Sequence, residues 1–561
     1  MSNPIFLIVA PLIGTAIALI GKVLPAKRLF SVLAVLPLGA MVPVLVASLP
    51  SVLAGQVITT DLGGWAPPLG IRLVLDGLSW LSTAIVVVVA VPVSLASLSR
   101  FSYGPSFYVF FTGLIAGMQM VILTADLFSL FVGFEVVAIA AYVLIAFERN
   151  DQALLASIKY LILSSVGILF FLFGVFLVYR DLGTLAIPDI QAMAGPAGFP
   201  SPAVDTRSIH LAVAALTVGI GVRTAFIPFH TWLPEAHAYA PHPVSALLSG
   251  ALIKVSFFGL VRILRTFNAV YLWELLMWVG VATAVAAGVW ALAQTDAKRL
   301  LAYSSVSQMG FLLAAIGAVA PGSTAAAFSH AINHALFKGL AFLVVGFVLH
   351  TRHERNILKI KSIAKEFPLA AVALIVAALS IAALPPFGAF ASKQLIGAAV
   401  GGPVAYWALA VAGITSFGGA LKLSRPAWPA LPALGRRDSV GPSDKETHAR
   451  PARRPGVLMA VAFAFLALGS LAAGIFADEL TWFLRSMVGD GGAEIGSWYS
   501  REKIIEVAAV SLLGVGAYFL SVSRVGRAFS RKIVEKSPDI GLVLILFILG
   551  LALFAIIAFL G

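Results

Sequence analysis

His330, His334 and Lys338 recur every four residues in the run FSHAINHALFK (328–338), a spacing that stacks them along one face of a helix. Imidazole titrates near neutral pH, so two such rings in line can hand a proton along. Lys159, Arg223, Lys254 and Lys393, and one acid, Glu135, each stand inside a long, otherwise apolar stretch, and Asp126 opens the stretch that holds Glu135. A lysine normally keeps its proton to pH ~10.4, so a part in a relay near pH 7 requires surroundings that disfavour its charge by about 4.6 kcal/mol. Burial together with one like charge supplies that much. Arginine holds its proton at any working pH, so Arg223 can pair with Glu135 or set a field but cannot carry. Proton relay, ion pairing and metal binding are the chemistries open to this set. Metal is the weakest: the glutamate of a zinc-protease helix is missing beside His330 and His334, and no third ligand is evident. No bound metal or cofactor is expected.

These residues need a scaffold, and the composition names it. Charged residues make up 11% of the 561, against roughly 25% in soluble domains. Apolar residues make up 60%. With no cysteine, disulfides, thiolate nucleophiles and iron–sulfur clusters are excluded. A membrane helix takes ~20 apolar residues. Such stretches lie near 4–23, 29–49, 76–98, 106–125, 127–147, 156–179, 208–228, 243–263, 272–294, 299–319, 324–350, 368–388, 404–423, 457–477, 504–523 and 540–560, which predicts sixteen spans. The chain therefore reads as an all-α polytopic membrane protein in the lipid bilayer. Met1 to Pro4 carries no basic side chain ahead of its apolar run, so a first span starting outside is expected rather than a cleavable signal. On that orientation the cytoplasmic connections hold about three times the Lys and Arg of the other side, as the positive-inside rule requires. The net charge of +13 then needs no nucleic acid to explain it. The expected location is a prokaryotic plasma (inner) membrane, with the N-terminus outside.

Five segments follow: an N-terminal three-helix part (1–105), a first five-helix repeat (106–263), a second (264–423), a basic cytoplasmic loop (424–456) and C-terminal helices (457–561). Each repeat has one helix broken by proline, after Arg223 at Pro228 and before Lys393 at Pro385–Pro386. Proline removes a backbone donor, which a bilayer tolerates only where protein or water satisfies the freed groups. Paired interruptions in two halves point to a transporter built on repeats. The basic stretch 524–536 covers only ~20 Å if helical, too little to lie along several neighbours.

The intramembrane charges divide by position. A charge at mid-membrane costs at least ~2.5 kcal/mol and faces a wet or paired interior. Glu135 lies mid-span, as an ion-pair member or as a charge that tunes a proton carrier. Lys254 is too deep to reach the headgroups and is the leading relay candidate. Lys393 follows the second break near a membrane edge, and Lys159 occupies a similar place in the first half; each either reaches the headgroups or carries a proton. His230, Glu235, His237 and His242 cluster at the end of the first broken helix, as a proton-loading group or a capped loop.

The run FIPFHTWLPEAHAYAPHPVSALLSGALIKV (226–255) closely resembles the signature of the antiporter-like subunits of respiratory complex I and of Mrp-type cation/proton antiporters. So do DLFSLFVGFE (126–135), TDAKRLLAYSSVSQMG (295–310) and HAINHALFKGL (330–340), in the family's order, over roughly 60–420. The chain looks most like the D-type member of the Mrp antiporters or the M and N types of complex I. The resemblance implies a fourteen-helix core of two inverted five-helix repeats and a hydrated lateral axis of buried charges. It also implies a larger assembly with other antiporter-like and small hydrophobic membrane subunits. By position, Glu135 matches the gating glutamate, Lys254 the central lysine, His330 and His334 the linking histidines, and Lys393 the terminal lysine. Arg223 falls where the family has lysine, so the first half either completes a half-channel or keeps only a permanent partner for Glu135.

The expected function is proton translocation in a multi-subunit ion pump, switched by breaking a Glu135–Arg223 pair. The coupled process is Na⁺/H⁺ antiport or a redox (quinone or hydrogenase) module, with an Mrp-type or related pump favoured. The alternatives are a non-pumping scaffold subunit and a membrane partner of an inorganic-carbon uptake system.

Overall fold

The computed structural model describes residues 3–65, 67, 70–100, 103–194, 206–428, 455–491, 498–535, 541 and 545. The chain opens with α1 (Ile5–Val23), then α2 (Lys27–Val35) and α3 (Met41–Leu53), which a 3₁₀ turn joins into one kinked span. A hairpin of β1 (Ile58–Asp61) and β2 (Arg72–Leu75) precedes α4 (Gly77–Arg100). The first repeat holds α5 (Pro105–Leu123), α6 (Leu127–Ile145), α7 (Asp151–Leu182), a short α8 (Ile187–Met193) and α9 (Thr206–Thr224) with α10 (Trp232–Tyr239). It ends with α11 (His242–Leu247), which runs through a π-turn, Leu248–Leu252, into α12 (Ile253–Thr266). The second holds α13 (Val270–Ala293), α14 (Ala297–Gly317), α15 (Ser323–Arg352), α16 (Pro368–Ile381) with α17 (Gly388–Val400), and α18 (Pro403–Ser424). Beyond lie α19 (Val457–Ile475), α20 (Ala477–Val488), α21 (Arg501–Val522) and α22 (Arg524–Glu535).

Thirteen of these stretches are long and apolar enough to cross a membrane. The two broken helices, α9–α10 and α16–α17, fall short because polar residues or proline interrupt them; with them the described residues make fifteen spans. Nearly all of the expected sixteenth span (540–560, apart from 541 and 545) and most of the 424–456 loop lie outside the described residues, as does part of the external loop after Asp61. The β1–β2 hairpin was not expected from the sequence; Arg72 and Asp61 close it with a 2.6 Å ion pair.

The two repeats match in detail. Asp126 accepts from Ser129 N and starts α6; Asp296 accepts from Lys298 N and Arg299 N and starts α14. Each aspartate also pairs with a strand-like residue further on, Asp126 with Ala186 and Asp296 with Asn356, an equal step along the chain in both cases. Both broken helices end on an alanine of left-handed backbone, Ala225 (φ 58°) and Ala383 (φ 55°). Such a conformation costs a non-glycine residue ~1–2 kcal/mol, so its recurrence marks a position the fold holds deliberately. Five spans is an odd number, so the second repeat enters the membrane from the face opposite the first. The repeats are inverted.

Freed backbone groups at the first break are met by protein: Trp232 Nε1 donates to Val222 O at 2.8 Å, and Ile227 N to Thr283 Oγ1 at 3.2 Å. Small residues let α13 and α14 approach closely, since a Cβ on Gly280 or Gly310 would sit 2.4 Å from the partner backbone. The α11–α12, α14 and α15 spans are 100%, 94% and 94% buried, against 33% for α1 and 11% for α21. They form the centre of the molecule.

Candidate functional site

Four of the expected residues, Lys254, His330, His334 and Lys338, lie on these central helices. Lys254 is buried and donates to Ser249 O within the π-turn, a local widening that aims the carbonyl at the ammonium. Ser249 Oγ meets Ser305 Oγ at 2.7 Å, and Ser305 Oγ donates to Leu301 O at 2.9 Å. The same Leu301 O accepts from Lys338 Nζ at 2.9 Å, and Lys338 also donates to Ser304 Oγ. Lys254 and Lys338 are thus joined across α14 by the hydroxyls of Ser249 and Ser305 and the backbone carbonyls of Ser249 and Leu301.

The histidines continue the row. The rings of His330 and His334 lie 6.3 Å apart, nearly parallel. His334 is fully buried, and neither of its nitrogens has a hydrogen-bond partner among the described residues. Lys254, Lys338, His330 and Lys393 are the titratable groups around it. His330 is held on both sides, by Ser392 Oγ at Nδ1 and Gln308 Oε1 at Nε2, each 2.9 Å. Ser392 precedes Lys393, whose ammonium lies over the Phe311 ring at 4.8 Å. No carboxylate pairs with Lys254, Lys338 or Lys393 among the described residues.

The row opens at both ends. Lys393 lines a cavity of about 90 Å³ with Gln394, Tyr406 and Glu506. Glu506 belongs to α21, beyond the second repeat. At the other end His237 is fully buried, stacks on Phe342 at 4.7 Å, and has Lys298, Lys338 and Lys254 as charged neighbours. Lys298 donates to Ala240 O at 2.6 Å and borders a polar cavity of about 580 Å³ with Glu148, Asp151, His242, His350 and Arg355. That cavity lies where α14 begins and the Lys393 cavity where α18 begins. Three consecutive spans separate those points, so the two cavities face opposite sides of the membrane.

The other expected residues form a separate group in the first repeat. Arg223, with a side chain 2% exposed, donates to Glu135 Oε1 at 2.8 Å and to Phe134 O at 2.9 Å. Glu135 is 35% exposed, on the outer side of α6. Lys159 does not mirror Lys393 as the sequence suggested: it pairs with Glu235 at 2.8 Å. Glu235 is the residue that mirrors Lys393, each standing ten positions past its left-handed alanine. His230 stacks on Trp290 at 5.1 Å, apart from the row, and Asp126 is the cap of α6. No group of three or more metal-ligating side chains occurs among the described residues.

Sequence reasoning misses Lys298, Ser249, Ser305, Gln308 and Glu506. Lys298 reads with Arg299 as a loop charge. A signal for the serines is present: Ser304, Ser305, Ser307 and Gln308 crowd one otherwise apolar span.

Inverted repeats, paired helix breaks and a buried row of cations define a membrane transporter-type subunit. The family described as "NADH:quinone oxidoreductase/Mrp antiporter, TM" matches residues 124–418, and the chain belongs to it. It is 33% identical over 412 residues to NADH-quinone oxidoreductase subunit N of Desulforudis audaxviator, covering 70% of this chain and 78% of that protein. It is 37% identical over 322 residues to subunit L of Pseudomonas aeruginosa, 56% of this chain and about half (51%) of that longer protein. It is 29% identical over 353 residues to the "Putative antiporter subunit mnhD2" of Staphylococcus aureus, 60% of this chain and 68% of that protein. Among solved structures, a chain of the Mrp complex from Dietzia sp. DQ12-45-1b superposes with TM-score 0.76 at 21% identity, over 91% of this chain and 98% of that one. A chain of an archaeal membrane-bound sulfane sulfur reductase gives 0.75 at 25%, over 91% and 99%. The chain is a multi-pass, antiporter-like membrane subunit of this family.

Proposed function

We propose that this subunit carries protons across the membrane along the row His237, Lys254, Lys338, His334, His330 and Lys393. They enter at the cavity beside Lys298 and leave at the cavity beside Glu506. The carrying observation is a set of buried, titratable side chains, with no acid paired to them among the described residues, on and against the central helices and bounded by cavities at opposite membrane faces. The unpartnered nitrogens of His237 and His334 support a path bridged by water, since buried polar groups find partners. Driving one charge against 100 mV takes ~2.3 kcal/mol. A charge pair that opens and closes in a partly dry site delivers energy of that order. Glu135–Arg223 is that pair. When it opens, Arg223 becomes an uncompensated cation near the row and pushes the proton on Lys254 towards Lys393.

Glu135 also locates a partner. A carboxylate one-third exposed at mid-span beside Phe128 and Ile139 is costly against lipid, so a neighbouring membrane subunit covers this face of α6. The assembly is an ion pump of the Mrp or related kind in a prokaryotic plasma membrane, with the N-terminus outside. Segments 1–105, 106–263, 264–423, 424–456 and 457–561 are its working divisions. The test is proton flux in vesicles holding the reconstituted complex with Lys254→Ala. A drop of roughly tenfold, or about 1.4 kcal/mol in the transfer barrier, is expected. Unchanged flux overturns the proposal in favour of a scaffold, a reading that the permanently charged Arg223 favours.

A further inference from the structure

α22 is a short helix at the membrane face, and two stripes divide it. Val525 and Phe529 are exposed on one side. Arg527, Ser530, Arg531 and Val534 recur at three- and four-residue spacing on the other, where they close a cavity of about 1560 Å³. The remaining walls are the start of α14, the loop 358–362, the last turn of α18 and the end of α21. A pocket for a small molecule holds ~300–1,000 Å³, so this one admits something larger.

Its charge is one-sided. Lys359, Lys361, Arg425, Arg527 and Arg531 line it, and none forms an ion pair among the described residues. Asp296 is the one acid in the lining, and it is already bound to Arg355 at 2.7 Å. Like charges gathered around a hollow repel and hold an anion there. The membrane side of the same hollow is apolar, with Val515, Phe519, Val522 and Leu421, and Tyr518 and Trp428 stand beside it. Aromatic rings of that kind sit at headgroup level. By span order this end of α18 and α21 lies on the face that carries the chain's excess of Lys and Arg.

We propose that this cavity binds an anionic phospholipid. The phosphate is held among Arg425, Arg527, Arg531 and the two loop lysines, and the acyl chains run down the apolar wall of α18 and α21. A free phosphate compound shares the anionic chemistry but leaves the apolar wall unused. Basic pockets at the cytoplasmic ends of membrane helices recognise acidic headgroups in this way. The site does not depend on proton transfer and stands or falls separately from it.

The complex purified in mild detergent and washed with phosphatidylcholine micelles is examined by native mass spectrometry and phosphorus assay. Retained phosphatidylglycerol or another acidic phospholipid is expected on this chain. R425Q/R527Q/R531Q should lower it roughly tenfold, and the matching lysine variant should keep it. Should the triple variant fail to assemble, K359Q/K361Q in the loop is read instead, with a smaller loss expected. Equal retention of phosphatidylcholine, no retained lipid, or displacement by millimolar inorganic phosphate or glycerol phosphate overturns the proposal.

Discussion

In the first repeat two ion pairs stand away from the central helices: Glu135 holds Arg223, and Glu235 holds Lys159, both at 2.8 Å. In the second repeat neither Lys338 nor Lys393 forms an ion pair among the described residues, and each is met by a carbonyl, a serine or a ring face instead. The backbones correspond: both repeats have an aspartate cap, a left-handed alanine and a broken helix. At one matching position the sign of the charge is reversed, Glu235 against Lys393. In the proposed mechanism the paired charges work by opening or closing and the unpaired lysines pass protons on, so that one scaffold used twice serves as a switch and as a conduit.

The largest expected effect breaks the switch unevenly. Glu135→Gln leaves the Arg223 guanidinium buried and unable to shed its charge, at a cost of about 3 kcal/mol. Arg223→Met costs less, because the group left behind, Glu135, is a third exposed whereas Arg223 is buried. Thermal unfolding of the detergent-purified complex should rank Glu135→Gln below Arg223→Met, with Arg223→Lys close to wild type. The reverse ranking would mean that Arg223 is held by something other than Glu135.

Next comes a matched pair of lysine deletions. Lys338→Met should reduce proton flux by roughly tenfold or more, about 1.4 kcal/mol, because it removes a link between Lys254 and the histidines. Lys159→Met should leave flux nearly intact and lower stability by about 1 kcal/mol, the worth of a half-exposed pair. Equal losses of flux would erase the distinction between the two repeats.

Much of this is legible in the chain itself. A lysine or histidine in an apolar run announces itself, and prolines announce the breaks, so the row and the repeats are visible. Pairing is harder to see. Lys159 and Glu235 lie far apart in the chain, and only the three-dimensional register shows that Glu235, not Lys159, mirrors Lys393. Lys298 looks like a loop charge because helix ends shift by a residue or two in any sequence reading. The β1–β2 hairpin is hidden among turn residues. Glu506 carries no signal at all, since α21 lies outside the segment shared with the family, 124–418.

Glu506 gives the smallest and sharpest test of how far the conduit extends. Its carboxylate borders the cavity that Lys393 and Tyr406 also line, and no other acid borders that cavity among the described residues. On the proposed path, a proton leaving Lys393 crosses a space wide enough for a few waters before it meets this group. Glu506→Gln keeps the size of the side chain but removes the ionisable carboxylate. It should slow flux two- to threefold, about 0.5 kcal/mol, and the loss should shrink when external buffer is raised, because buffer then accepts the proton instead. Wild-type rates at every buffer concentration would show that the second repeat releases protons directly from Lys393, so that the comparison between the repeats ends at α18 and α21 serves only the face it shares with α22.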